Sequence, residues 1–169
     1  LLVTGLAAGC VSSGHDSPLQ TGKGRDEARV AYVQLGLGYL QQGMSEQAKV
    51  PLKKALELDG SDADANAALA LVFQAQAEPE LADRYFHKAM ASRPADPRLL
   101  NNYGSFLFEQ KRYDQAARYF QQASADTLYP ERSRVFENLG VTSIRLGQRD
   151  SARQQLEKAL HLNGRQPRA

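Results

Sequence analysis

The sequence has one cysteine, three histidines and no tryptophan. A single Cys excludes an internal disulfide. His15, His87 and His161 stand far apart, so the helical metal-ligand spacing of two His three or four residues apart is missing. No apolar stretch approaches the roughly 18 residues of a transmembrane helix, so none lies within the given chain. An excess of one charge is also missing. Lys and Arg total 21 against 19 Asp and Glu, a net of +2. Such a balance offers no bulk attraction for nucleic acid. What remains is ordinary: 169 residues, 42% hydrophobic, 8% aromatic and 24% charged. This composition excludes a disordered, collagen-like or disulfide-dense chain. The length fits one domain or one run of repeats.

The chain opens Leu1-Leu2-Val3-Thr4-Gly5-Leu6-Ala7-Ala8-Gly9-Cys10, without Met and without charge. Residues 1–9 read as the tail of a signal-peptide apolar region, and the missing basic start predicts that the natural chain begins earlier. Leu6-Ala7-Ala8-Gly9-Cys10 resembles the bacterial lipobox, although Leu stands one residue earlier than usual. The resemblance implies cleavage after Gly9, a diacylglyceryl group on the Cys10 thiol and an acylated new amino terminus. Acyl chains contribute about 0.8 kcal/mol per buried CH₂, so several make a firm anchor. The plainer alternative is a free or buried thiol. Residues 11–25 are rich in Gly, Ser and Pro and show no hydrophobic period. A flexible tether is expected over 10–28. Val11 replaces the Asp that often marks inner-membrane retention in lipoproteins, which points to the outer membrane.

From residue 29 the chain repeats itself. Segments starting at Arg29, Ala63, Pro97 and Ser133 carry Gly36, Ala70, Gly104 and Gly140 at place eight. Place twenty holds Ala48, Ala82, Ala116 and Ala152; place twenty-seven holds Ala55, Ala89, Ala123 and Ala159. Place twenty-four holds Leu52, Phe86, Phe120 and Leu156. The steps are 34, 34 and 36 residues. A 34-residue period with this pattern is that of the tetratricopeptide repeat. The expected fold is all-α: a right-handed superhelix, or α-solenoid, of about four helix-turn-helix units over 29–62, 63–96, 97–132 and 133–166. Residues 167–169 read as the start of a fifth unit, which predicts a natural protein that continues beyond Ala169.

Local signals mark the helix ends. Asp96-Pro97 is an N-cap followed by Pro at the first helical place, and Glu78-Pro79 has the same form. Gly43 and Gly147 fall at the turns inside units one and four. Gly60, Pro94 and Gly164 stop second helices. Pro51 lies inside the second helix of unit one and is expected to kink it. Unit three is longer, with the excess in 124–132, and Pro130 is expected to open the next helix. Tyr129 and Pro130 in this inter-unit segment are candidate contact residues; a merely tolerated loop is the alternative.

First helices of such units line a concave face through places two, five, nine and twelve. The candidate partner-binding groove comprises Val30, Val33, Leu37, Leu40, Ala67, Leu71, Arg98, Asn101 and Arg134. Ser105, Phe108, Val141 and Ile144 occupy further groove places. Unit one is apolar nearly all round, because Tyr32, Leu35 and Tyr39 are expected to pack on its own second helix. Its stripe suits an apolar or amphipathic partner segment; cover by unit two, or by the tether folding back on it, is the alternative. A carboxylate clamp needs Lys at place five and Asn at place nine, and no unit has both. Gly22-Lys23-Gly24 lacks phosphate-loop spacing. Paired acids such as Asp62 and Asp64 read as helix N-terminal charges. No catalytic constellation, metal site, cofactor or small-molecule substrate is therefore expected, apart from covalent lipid on Cys10.

Several stretches carry a closer resemblance. They are residues 24–29 (GRDEAR), 35–40 (LGLGYL), 100–104 (LNNYG) and, most distinctively, 126–140 (DTLYPERSRVFENLG). Together they resemble the PilF/PilW family of type IV pilus biogenesis lipoproteins. That resemblance implies a pilotin: a non-enzymatic, lipid-anchored protein on the periplasmic face of the outer membrane. Such a protein helps the pilus secretin, a PilQ-like subunit, to reach that membrane and form multimers. It also implies about six repeats in the natural protein. The rival expectation is a general tetratricopeptide scaffold or adaptor of another envelope or cytoplasmic complex.

Overall fold

A computed structural model describes residues 21–164. Cys10, the lipobox and the start of a fifth unit lie outside the described residues. Among the described residues there are eight α-helices and no strand. They are α1 (Gly22–Gln41), α2 (Ser45–Leu58), α3 (Ala63–Ala75), α4 (Pro79–Ser92), α5 (Pro97–Glu109), α6 (Tyr113–Ala125), α7 (Arg132–Arg145) and α8 (Arg149–Asn163). Neighbouring helices pack as pairs, α1 with α2 through α7 with α8, and the pairs stack into a solenoid. None of these helices is long and apolar enough to cross a membrane.

The pairing follows from the small residues at fixed places. A Cβ built on Gly104 would lie 2.8 Å from the Phe120 ring. The first and second helices of that unit therefore touch backbone to ring, which no larger residue permits. Ala48, Ala82 and Ala116 are fully buried at the same contact, and Ala152 nearly so. All four internal turns place one residue in the left-handed region at place fifteen: Gly43 (φ 74°), Ala77 (φ 56°), Lys111 (φ 59°) and Gly147 (φ 75°). In each, the following N–H reaches back to a carbonyl near the end of the first helix, as Arg112 N does to Leu107 O at 2.9 Å. The turn geometry is thus common to all units, whether or not glycine supplies it.

One apolar core runs from α3 to α8 around Phe86, Tyr103, Phe106 and Phe120. Leu52, Leu69 and Val72 continue it towards unit one. Place seven shows how units join. Leu69, Tyr103 and Leu139 are buried there, and the Tyr103 ring lies 5.4 Å from Phe86 of the preceding unit's second helix. The Tyr103 hydroxyl donates to Asp83 Oδ1 at 2.9 Å on that same helix. Burial and this bond to Asp83 push the Tyr103 hydroxyl pKa well above its ordinary value.

Three expectations are corrected. The tether does not reach residue 28, because α1 begins at Gly22. The Thr21 hydroxyl accepts Gly24 N, and Arg25 donates to Leu58 O, so the extra turns are capped and tied to α2. Pro130 does not open α7, which starts at Arg132 after the Glu131 cap. Leu35 is not covered by its own second helix and is 50% exposed. Its place is buried by the preceding unit elsewhere, and among the described residues nothing precedes α1. Tyr32 and Tyr39 do pack on α2, against Ala55 and against Ala48 and Leu52, and with Leu35, Val50 and Pro51 they line a hollow of about 290 Å³. Pro51 sits buried within an unbroken α2.

Candidate functional site

The first helices share one face. Arg29, Val30, Val33, Gln34 and Leu37 of α1 line a hollow of about 290 Å³ with Asp62, Asp64 and Arg98. Three successive units thus meet around one space, which makes this the concave side. Four of the candidate groove residues converge there: Val30, Val33, Leu37 and Arg98. Val30 is half-exposed and offers an open apolar surface. Val33 is buried at 4% exposure among Ala55 and Ala65, so it is floor rather than contact. Leu37 and Leu40 are partly buried against the cluster around Leu52.

The other groove candidates spread along the same face. Ala67 is buried in the main core, and Leu71 packs partly against it. Asn101 is 5% exposed; Arg134 stands in solvent and pairs with Glu131 at 2.9 Å. Places two, nine and twelve therefore open to the groove in most units. Place five is closed in units one to three, where Val33, Ala67 and Asn101 are buried.

A polar lip borders the apolar floor. Arg29 pairs with Asp62, which caps α3 by accepting Ala65 N. Asp64 receives Arg93 at 2.8 Å and also Arg98, so one carboxylate joins the end of α4 to the start of α5. Burial pushes the Asp64 pKa up, but the two guanidiniums outweigh it and hold the carboxyl below its ordinary value. Of the inter-unit pair, Tyr129 is half-buried against the core, and burial, with Glu131 nearby, raises its hydroxyl pKa. Pro130 is exposed beside a shallow hollow with Ser133, Glu137 and Asn163.

A second hollow on this face gathers three of the further groove places, Ser105, Phe108 and Val141, with residues the sequence did not point to. Ser105, Phe108, Glu109, Phe120, Asn138 and Val141 line a notch of about 300 Å³ between α5 and α7. Asn138 occupies place six, as Asn102 does in unit three, and that recurrence was the available signal.

Residues 30–62 and 96–162 match family models of the tetratricopeptide repeat. The type IV pilus assembly protein PilF of Pseudomonas aeruginosa is 61% identical over 99% of this chain. The chain belongs to the PilF/PilW family of tetratricopeptide-repeat proteins. It spans 66% of the length of that PilF. A solved structure of Pseudomonas aeruginosa PilF superposes with a TM-score of 0.83 at 62% identity, covering 86% of this chain and 65% of that one. A crystal structure of PilW, described as a widely conserved type IV pilus biogenesis factor, gives a TM-score of 0.77 at 27% identity over 81% of this chain and 63% of that one. The solenoid is thus the family's tetratricopeptide superhelix, with the four described helix pairs as its units.

Proposed function

We propose that this protein is a pilotin of type IV pilus biogenesis, a non-enzymatic outer-membrane lipoprotein that binds the pilus secretin and helps it localise and multimerise. The observation that carries this reading is the 61% identity to PilF over almost the whole chain. The groove supports it chemically. Val30, Leu37 and Leu40 offer a partner segment apolar area, and the Asp64–Arg98 lip offers polar contacts around it. Binding of this kind needs no reacting group.

The lipid on Cys10 places the groove at the membrane where the secretin assembles. Acylation at one residue gives an anchor, and residues 11–20 a link of at most about 35 Å to α1. The function is tested by co-purification of the secretin with the full-length protein from envelope extracts. Loss of secretin multimers on deletion is the expected cellular result; normal multimers would overturn the reading. Cys10→Ala should lose palmitate labelling and move the protein from the membrane to the soluble fraction. Val30→Asp is expected to weaken secretin binding at least tenfold with helical content unchanged. Val33→Asp is the poorer probe, since its side chain is buried.

A further inference from the structure

The notch between α5 and α7 differs in chemistry from the groove over unit one. Its floor is apolar: Phe108 is half-buried, Val141 is 42% exposed, and Ile144 beside it is 55% exposed. Its wall holds the Asn138 amide, which is bonded to the buried Asn101 amide. Asn138 Nδ2 donates to Asn101 Oδ1 at 3.1 Å. Asn101 is 95% buried by its 5% exposure, yet its Nδ2 donates to no protein atom among the described residues. Asn138 Oδ1 likewise accepts from none. Exchanging O and N in both amides leaves one amide NH₂ and one amide oxygen open all the same. The nearby hydroxyls do not use them, because Ser105 and Thr142 donate to their own helix carbonyls.

An open amide NH₂ beside an open amide oxygen can pair with the C=O and N–H of one peptide group. A helix cannot supply that group, since its interior N–H and C=O groups are already paired. An extended chain meets that condition. The charge on the rim adds a second. Glu109 lines the notch, and among the described residues it bonds only to the neutral Gln74, at 2.6 Å. Gln74 Oε1 is itself buried with no donor. Among the described residues Arg145 stacks over the Phe108 ring at 6.0 Å and pairs with no carboxylate. The notch thus carries an unpaired carboxylate at Glu109 and an unpaired guanidinium over Phe108.

Resting on the secretin reading above, we infer that this notch grips an extended segment of the secretin by its backbone. One peptide group bonds between Asn101 and Asn138. An aliphatic side chain of the segment seats on Phe108, Val141 and Ile144, and a neighbouring Lys or Arg meets Glu109. Unit one and this notch then hold two different stretches of the same partner.

The test uses the full chain and twelve-residue synthetic peptides tiling the secretin, with the whole secretin as a separate probe. At least one peptide with an aliphatic residue next to Lys or Arg should bind. N-methylation of one backbone amide in it should weaken binding at least tenfold, while methylation elsewhere along it matters less. Val141→Asp, on an exposed side chain, should give the same loss with an unchanged melting temperature. The inference is overturned if Val141→Asp and every N-methylated peptide bind as the unmodified pair does. It is also overturned if the whole secretin binds but no peptide does. If the secretin itself fails to bind, the functional reading falls and this inference with it.

Discussion

At the residue scale, the left-handed turns and the close helix contacts both favour glycine. Lys111 holds a φ of 59°, where an L-residue costs about 1–2 kcal/mol relative to the right-handed helix. Glycine removes that cost but gives back part of it through a looser unfolded chain. Lys111→Gly is therefore expected to stabilise the protein by about 0.5–1 kcal/mol, read as a higher midpoint in urea. Gly104→Ala should do the reverse. The new methyl would lie 2.8 Å from a buried Phe120 ring that has little room to move. A loss of about 1–3 kcal/mol by thermal melt is expected. Both positions were visible in the sequence only in part. The Gly at place eight was legible because it recurs; the strained turn in units two and three was not, because Ala77 and Lys111 carry no turn signature.

At the scale of elements, the joint between α4 and α5 rests on few but specific contacts. Tyr103 inserts beside Phe86 and bonds Asp83, which also takes Arg112 at 2.9 Å and lies 3.3 Å from His87. Asp83→Ala leaves the Tyr103 hydroxyl with His87 alone and frees Arg112. Weakened hydrogen bonding to a largely buried hydroxyl costs about 1–3 kcal/mol. A drop of that size in chemical denaturation is expected, and Tyr103→Phe should cost less because it removes donor and demand together. The helix start most legible in the sequence is that of α5. Asp96 accepts from Arg98 N and Leu99 N, and Pro97 follows at the first helical place. Glu78 stands at the expected cap of α4 but makes no capping bond, so its Pro alone marks the start. The start of α1 was missed because Gly22 and Gly24 look like linker, and the contacts that fix them are 33 residues away at Leu58 and Asp62.

For the molecule as a whole, carboxylates whose pKa is held down by their partners set its response to acid. Asp64 has its pKa held down by Arg98 and Arg93 against the upward push of burial. Ser61 holds Asp59 down, and Lys49 holds Glu46 down. A carboxyl lowered in the folded state adds stability above its unfolded pKa, near 4, and loses it as pH falls through the folded value. Stability should therefore stay level from pH 7 to about 5 and decline below about 4. Asp64→Asn should flatten part of that decline when urea midpoints are compared across the range. The overall architecture was legible from a few small residues in register. The groove was legible only as a row of places, since which places open depends on how far each first helix leans on its neighbour. That lean closes place five, and it leaves the asparagine pair to be found in three dimensions.

The exposure of Leu35 reaches beyond its own unit. Each unit hides its seventh residue under the one before, so the array has a sticky leading edge wherever it is made to begin. A fragment opening at Ala63 would bare Leu69, and one opening at Pro97 would bare Tyr103 with its hydroxyl stripped of Asp83. Trimming from the front does not remove the adhesive patch; it hands it to the next unit in line.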